Sequence, residues 1–209
     1  MEYQFEFGPY VRTLGQTGFN DFYVKKNVFT EDMVNNLTNH VENNYPFEKG
    51  RTGNQTSDMP KEILYETNNR DIAYLRPTSD LQWVYELLWD TVLEANQEKF
   101  KFDIDYVTDA LHYVIYPENG GHLSWHMDIG NGINNRKLAT TVQLSESNDY
   151  TGGEFQVWNG GDPNKGFKTL PRDKGDVIVF PVWLMHRVSP IINGQRKVLV
   201  FWTGGKSFR

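Results

Sequence analysis

"HLSWHMDIG" (residues 122–130) holds two histidines and an aspartate within seven positions, in a chain that has only five histidines. In a β-strand, residues i and i+2 point to the same face. The side chains of His126 and Asp128 can therefore enter one cavity. An imidazole and a carboxylate are two corners of the facial triad that binds non-haem iron, and the third is another histidine. His186, in "FPVWLMHRVSP", is the candidate. It follows the apolar strand 177–180 and sits beside a Pro-flanked turn, where it can point into the same cavity. An H-x-D pair alone is weak evidence, because a solvated turn histidine near a carboxylate looks the same.

Arg196 lies ten positions after His186, at the start of "RKVLVFW". Strand alternation puts Arg196, Val198, Val200 and Trp202 on one face. A guanidinium entering an apolar strand is costly unless it meets an anion. It would hold a carboxylate as a bidentate pair. The alternative is a rim arginine paired with a surface Asp or Glu.

These residues need a scaffold, and the rest of the chain describes one. The chain has 209 residues, enough for a single domain with a sizeable core. It is 38% hydrophobic and 14% aromatic, a globular composition. "FTEDMVNNLTNHVENN" reads as a helix capped by Thr30, with Glu31 and Asp32 in the first turn and Met33, Val34, Leu37 and Val41 on one face. "TSDLQWVYELLWDTVLEAN" reads as a second helix, capped by Thr78 or Ser79, with Leu81, Val84, Tyr85, Leu88 and Val92 on its apolar face. Between them, "EKGRTGNQTSDMPKE" reads as a long loop, either a surface excursion or a functional lid over residues 50–60.

After Phe102 the chain turns to short β-branched and aromatic runs: "YVTDALHYVIY", "KLATTVQLS", "GEFQVW", "DVIVFPV" and "KVLVFWT". Gly-rich turns separate them, which points to a sandwich or barrel rather than a parallel α/β sheet. "KVLVFW" is apolar on both faces, so one sheet is expected to be covered on both sides, with the helices as the cover. The fold class is thus mainly β with helices (α+β). Residues 1–101 form helical support and the loop, and residues 102–209 a jelly-roll core, in one domain.

Composition narrows the function. A net charge of −6 argues against general binding to nucleic acid or anionic membrane. With no cysteine, any metal must be held by His, Asp or Glu. No basic-then-apolar leader opens the sequence and no apolar run approaches the roughly 20 residues that span a bilayer, so a cytoplasmic location is expected.

Taken in order, His126-x-Asp128, His186 and Arg196 resemble the iron(II)/2-oxoglutarate-dependent dioxygenases, in particular the prolyl 4-hydroxylase branch with its PKHD-type hydroxylases. The likeness covers residues 106–204 and extends beyond the ligands. "YPENGGHLSWHMD" is similar to the family's Tyr-Pro…His-x-Asp stretch, and "YTGGEF" to its Gly-Gly-Glu hairpin. "KGDVIVFPVWLMHRVSPIINGQRKVLVFW" matches the Gly-Asp, Phe-Pro, His-Arg-Val-x-Pro, Gly-x-Arg and terminal Trp elements.

The resemblance implies a double-stranded β-helix in which His126, Asp128 and His186 hold Fe(II). 2-Oxoglutarate would take two of the remaining positions, dioxygen the last, and ascorbate would serve as reductant. Arg196 would pair with the C5 carboxylate. Tyr116 and Gln143 would line the co-substrate pocket, although some relatives have tyrosine where Gln143 stands. Trp202 matches a tryptophan near the iron. Arg136 sits where relatives use an arginine to contact the peptide; the competing reading is a solvated loop charge. Trp125, Trp158 and Trp183 read as packing residues. Relatives that halogenate lack the carboxylate, so Asp128 argues for hydroxylation.

The implied reaction is hydroxylation of a prolyl residue in a peptide or protein, giving succinate and CO2. The same mechanism on a free amino acid or other small molecule is the alternative. Oxidative base demethylation usually brings a second arginine six positions after the first, where this chain has Trp202. A non-enzymatic jelly-roll binding module would account for the turns and tryptophans, but not for Arg196 in register with the three ligands.

Overall fold

Thr30 starts the first helix by swinging into extended backbone (φ −71°, ψ 164°), so that its hydroxyl accepts the otherwise orphaned N–H of Met33 at 3.2 Å. The chain is seen here in a computed structural model that describes residues 22–51, 68–129, 135–160, 162 and 164–206. Apart from Gly50 and Arg51, the loop expected over residues 50–60 lies outside them.

In chain order the elements begin with β1 (Tyr23–Lys25), α1 (Glu31–Asn44), β2 (Glu48–Lys49), β3 (Asn68–Asn69) and β4 (Asp71–Leu75). Next come α2 (Gln82–Ala95), which runs on into a π-helical turn (Asn96–Phe100), and then β5 (Tyr106–Val107), β6 (Leu111–Tyr116) and β7 (His122–His126). β8 (Arg136–Gln143), β9 (Tyr150–Gly152), β10 (Phe155–Trp158) and β11 (Phe167–Thr169) follow. The chain closes with β12 (Val177–Pro181), β13 (His186–Val188), β14 (Ile191–Gly194) and β15 (Arg196–Gly204).

α1 buries Val34, Leu37 and Val41, as its periodicity requires, while Met33 is only partly buried. α2 departs from expectation at its start. Leu81 occupies the cap position, and no side chain caps the helix. The Thr78 hydroxyl bonds the Asp80 carboxylate instead, and the backbone turns in through Leu81 N–H to the Thr78 carbonyl at 3.1 Å. Leu81 is thereby fully buried, and packing sets the helix start where the cap was expected. The run "YVTDALHYVIY" also divides: residues 108–110 separate β5 from β6.

Among the described residues the strands pair antiparallel throughout. The major sheet runs β1-β12-β8-β15-β6-β4-β2, with β5 also on β15. The minor sheet runs β11-β10-β13-β7-β3, and β14 pairs with β9. The two sheets face each other as a jelly-roll, and the helices cover the outer face of the major sheet. Alternation along its strands divides them between two cores. Leu199 and Phe201 of β15, Leu111 and Tyr113 of β6, and Val177 and Val179 of β12 pack with the helices. Val198 and Trp202, Val114 and Tyr116, and Ile178 and Phe180 face the minor sheet's Leu123, Phe155, Val157 and Val188.

The Gly-Gly turn between β9 and β10 is a steric requirement. Gly152 and Gly153 both have positive φ (74° and 60°). A Cβ on Gly152 would lie 2.2 Å from the Pro190 carbonyl oxygen.

Candidate active site

β7 and β13 are neighbours in the minor sheet, and their register sets His126 opposite His186. The two imidazoles lie 4.1 Å apart between ring centroids. Asp128 sits two residues on, just past the end of β7, where its N–H bonds the Val182 carbonyl at 2.8 Å. That bond turns the chain so that the carboxylate meets both rings. The Asp128 oxygens lie 3.5 Å from Nε2 of His126 and 3.7 Å from Nε2 of His186. One ligand atom from each residue falls within 4.8 Å of the other two, a spacing that can hold a metal ion. No ion is part of the structure, so the fit rests on the donor set.

That donor set is well prepared. Nδ1 of His126 lies 2.8 Å from the Ser124 carbonyl, and Nδ1 of His186 lies 2.7 Å from the Leu184 carbonyl. A carbonyl can only accept, so each Nδ1 carries the proton and each Nε2 offers its lone pair to the centre. Burial, followed by the neighbouring His126, pushes the His186 pKa down to about 4, which keeps it neutral. Burial alone would raise the Asp128 carboxyl. The adjacent His186 and His126 and the Trp202 N–H, which donates to Oδ2 at 3.0 Å, outweigh it and hold Asp128 ionised. Two imidazoles and one carboxylate suit a first-row divalent metal.

Beside the triad is a cavity of about 540 Å³, and Arg196, Tyr116, Trp202 and Arg136 all line it. Arg196 is 1% exposed, so it is no rim arginine. Its Nη2 donates to Gln143 Oε1 at 2.9 Å, and its guanidinium carbon lies 5.4 Å from the centre of the Tyr116 ring. Nε and Nη1 are buried without a hydrogen-bond partner. Two orphaned donors on a buried cation are expensive, and an anion reaching the guanidinium from the cavity would offset that cost. Gln143 is buried behind Arg196 as its hydrogen-bond partner.

Arg136 is 8% exposed, at the first position of β8, so it is not a solvated loop charge. Its Nε and Nη2 both reach Asp109 Oδ2 at 2.9 Å. Nη1 donates to the Asp128 carbonyl at 3.3 Å, and the guanidinium lies 4.2 Å from the centre of the Trp202 ring. Arg136 thus clamps the residues around Asp128 while still facing the cavity. Trp125 stacks with Arg187, and Trp183 packs edge-on to Phe102.

Sequence reasoning missed four residues that shape this site. Thr141, Arg70 and His112 line the cavity, and Asp109 anchors Arg136. Alternation in "LHYVIY" could have placed His112 on the inner face with Val114 and Tyr116. The partnership of Asp109 with Arg136 spans 27 positions and leaves no local signal.

The geometry agrees with comparisons to known proteins. Residues 111–204 match the model of the 2OG-Fe(II) oxygenase superfamily. A PKHD-type hydroxylase from Synechococcus sp. (strain CC9605) is 34% identical over 84 residues, covering 40% of this chain and 36% of the relative. One from Cupriavidus pinatubonensis is 31% identical over 110 residues, covering 46% of each chain. The chain therefore spans less than half the length of these curated relatives. In fold, it is similar to a Pseudomonas putida prolyl-4-hydroxylase (TM-score 0.68, 15% identity, 90% of this chain and 95% of that one). It is likewise similar to a Trichoplax adhaerens prolyl hydroxylase solved with a hypoxia inducible factor peptide (TM-score 0.68, 17% identity, 90% and 86%). Residues 111–204, a little under half of the chain, are thus similar to the 2OG-Fe(II) oxygenase superfamily, and the relatives that share this likeness are PKHD-type hydroxylases.

Proposed function

We propose that this chain is an Fe(II)- and 2-oxoglutarate-dependent hydroxylase whose substrate is a prolyl residue of a peptide or protein. The observation that carries the reaction class is Arg196: a buried guanidinium with two unsatisfied donors, lining the same cavity as a His-Asp-His cluster. A sugar-binding module has no use for that pairing. The prolyl substrate is supported by the named activity of the relatives and by the fold.

In this reading His126, Asp128 and His186 hold the iron, which supplies the redox chemistry that couples dioxygen to oxidative decarboxylation of 2-oxoglutarate and hydroxylation of a C–H bond. Arg196 binds the far carboxylate of 2-oxoglutarate, and Gln143 fixes the guanidinium plane. Tyr116 packs against that ion pair. Trp202 holds the Asp128 carboxylate in one orientation through its N–H, and Arg136 holds Trp202. Phe155 and Phe180, with rings 5.5 and 4.8 Å from His186, keep water from that side of the centre. No helix among the described residues is long and apolar enough to cross a membrane.

The test is turnover with Fe(II), ascorbate and 2-oxoglutarate, screened over proline-containing peptides and free amino acids. Succinate release and a gain of one oxygen mass on a peptide are expected. Absence of succinate under every condition would reject the reaction class. Oxygen gained only by a free amino acid would reject the prolyl-peptide substrate.

A further inference from the structure

A further arginine lines the cavity, and among the described residues no carboxylate pairs with it. Arg70 lies at the crossover from β3 in the minor sheet to β4 in the major sheet. Arg70, Ile72 and Tyr74 alternate onto the inner face and line the cavity. The register fixes its height: Asp71 is level with Ile115 and Arg196 with Tyr116, so Arg70 and Arg196 flank Tyr116 on neighbouring strands. The Arg70 side chain is only partly buried, but its Nε is buried without a partner. Its Nη2 donates to the Arg51 carbonyl at 3.2 Å, which brings exposed Arg51, another cavity-lining residue, alongside. Among the described residues no carboxylate lies within ion-pair distance of Arg70 or Arg51, although the chain as a whole carries a net charge of −6.

The fold makes room for this side chain. A Cβ on Gly50 would come within 2.6 Å of both Cγ and Nε of Arg70, so glycine leaves the space the guanidinium stem occupies. The Arg70 carbonyl accepts the Gly50 N–H at 2.9 Å, locking the two together. The positive charge reaches into the cavity as well. Burial is the main reason the His112 pKa falls to about 4, and Arg70 is the next.

We propose that Arg70, assisted by Arg51, binds an anionic group on the substrate, so that the cavity takes two anions: the co-substrate carboxylate at Arg196 and a substrate carboxylate at Arg70. A planar guanidinium favours a carboxylate, and an acidic residue flanking the reacting proline is the fitting source. The inference rests on the hydroxylase reading for what happens at the triad, but the binding it asserts is measured without turnover.

The experiment uses the full chain with Mn(II) and saturating 2-oxoglutarate. Two pools of short peptides share a central proline and differ only in carrying Asp and Glu, or Asn and Gln, around it. A third pool of free and N-acetyl amino acids separates a side-chain carboxylate from a free α-carboxylate. Retention on ultrafiltration is read by mass spectrometry. The acidic peptides should be retained about tenfold over the neutral ones, the scale of one hydrogen bond to a charged group. Arg70→Gln should erase that preference and Arg70→Lys should keep part of it. Should Arg70→Gln fail to fold, Gly50→Ala carries the test by displacing the arginine, with the same loss expected. Equal retention of the two peptide pools, retention of neither, retention of the free acids alone, or a preference that survives in a folded variant would overturn the proposal. So would an Arg70→Gln protein whose main defect is weaker 2-oxoglutarate binding. Failure of the unaltered protein to bind 2-oxoglutarate at all would instead count against the proposed function.

Discussion

The two faces of the major sheet are made by the same strands and serve opposite ends. Outward, Leu199 and Phe201 of β15 meet Leu37, Val84 and Leu88 in a core of apolar side chains. Inward, Arg196 starts a row with Val198, Val200 and Trp202, and Gln143, Thr141 and His112 stand on the neighbouring strands. The outer face gains stability from burial, at roughly 25 cal/mol per Å² of apolar surface. The inner face gives up some of that gain, since Arg196 and Gln143 are buried with donors that the fold only partly satisfies. One period-2 pattern thus separates a stabilising layer from a reactive one. Substitutions on the two faces should therefore fail differently.

The largest effect is expected on the inner face. His126→Ala, Asp128→Ala or His186→Ala should reduce succinate release to background and lower bound metal, with the circular dichroism spectrum unchanged. Full activity in any one of them would remove it from the metal site. Next, Phe201→Ala on the outer face should cost about 3–5 kcal/mol in denaturant unfolding, because Phe201 is fully buried. The folded fraction should keep its metal affinity; a weakened metal site would mean that the two faces are coupled. Arg196→Ala should raise the KM for 2-oxoglutarate by roughly 10- to 100-fold, the scale of charge-assisted hydrogen bonds, and an unchanged KM would reject the anchor.

A finer test lies in His112, whose pKa falls from 6.5 to about 4, chiefly through burial. Between those values the unfolded chain binds a proton that the folded chain refuses, so stability must fall as pH drops from 6.5 toward 4. His112→Phe keeps an aromatic ring between Tyr74 and Trp202, whose ring centres lie 4.6 and 4.7 Å away. It should flatten that part of the profile, as read from denaturation midpoints at pH 7 and pH 5. The smallest effect is expected at Asp109→Asn, which loosens the clamp on Arg136 and Trp202 and should weaken metal binding by about tenfold at most.

How far the sequence could be read follows from the range of the interactions. α1 was legible because Thr30, Glu31 and the Val34–Leu37–Val41 stripe all act within a few residues of each other. Strand alternation set His126 and Arg196 toward one cavity, and His186 entered as the missing corner of a known coordination set. Asp128 was expected to follow the same alternation, but it lies just past β7 and is turned inward by its N–H bond to Val182. The start of α2 was not legible, since burial of Leu81 prevails over a cap at Thr78. Asp109, Arg70 and the clamp on Arg136 depend on strand register and on a crossover between sheets, which no local spacing encodes.

Calorimetric titration of 2-oxoglutarate into the protein, with and without Mn(II), tests the central claim most directly. One 2-oxoglutarate should bind per chain only when the metal is present, and binding should be lost in Asp128→Ala and weakened roughly 10- to 100-fold in Arg196→Ala. Binding that ignores the metal, or that keeps its full affinity on loss of either side chain, would contradict a shared site for cation and diacid.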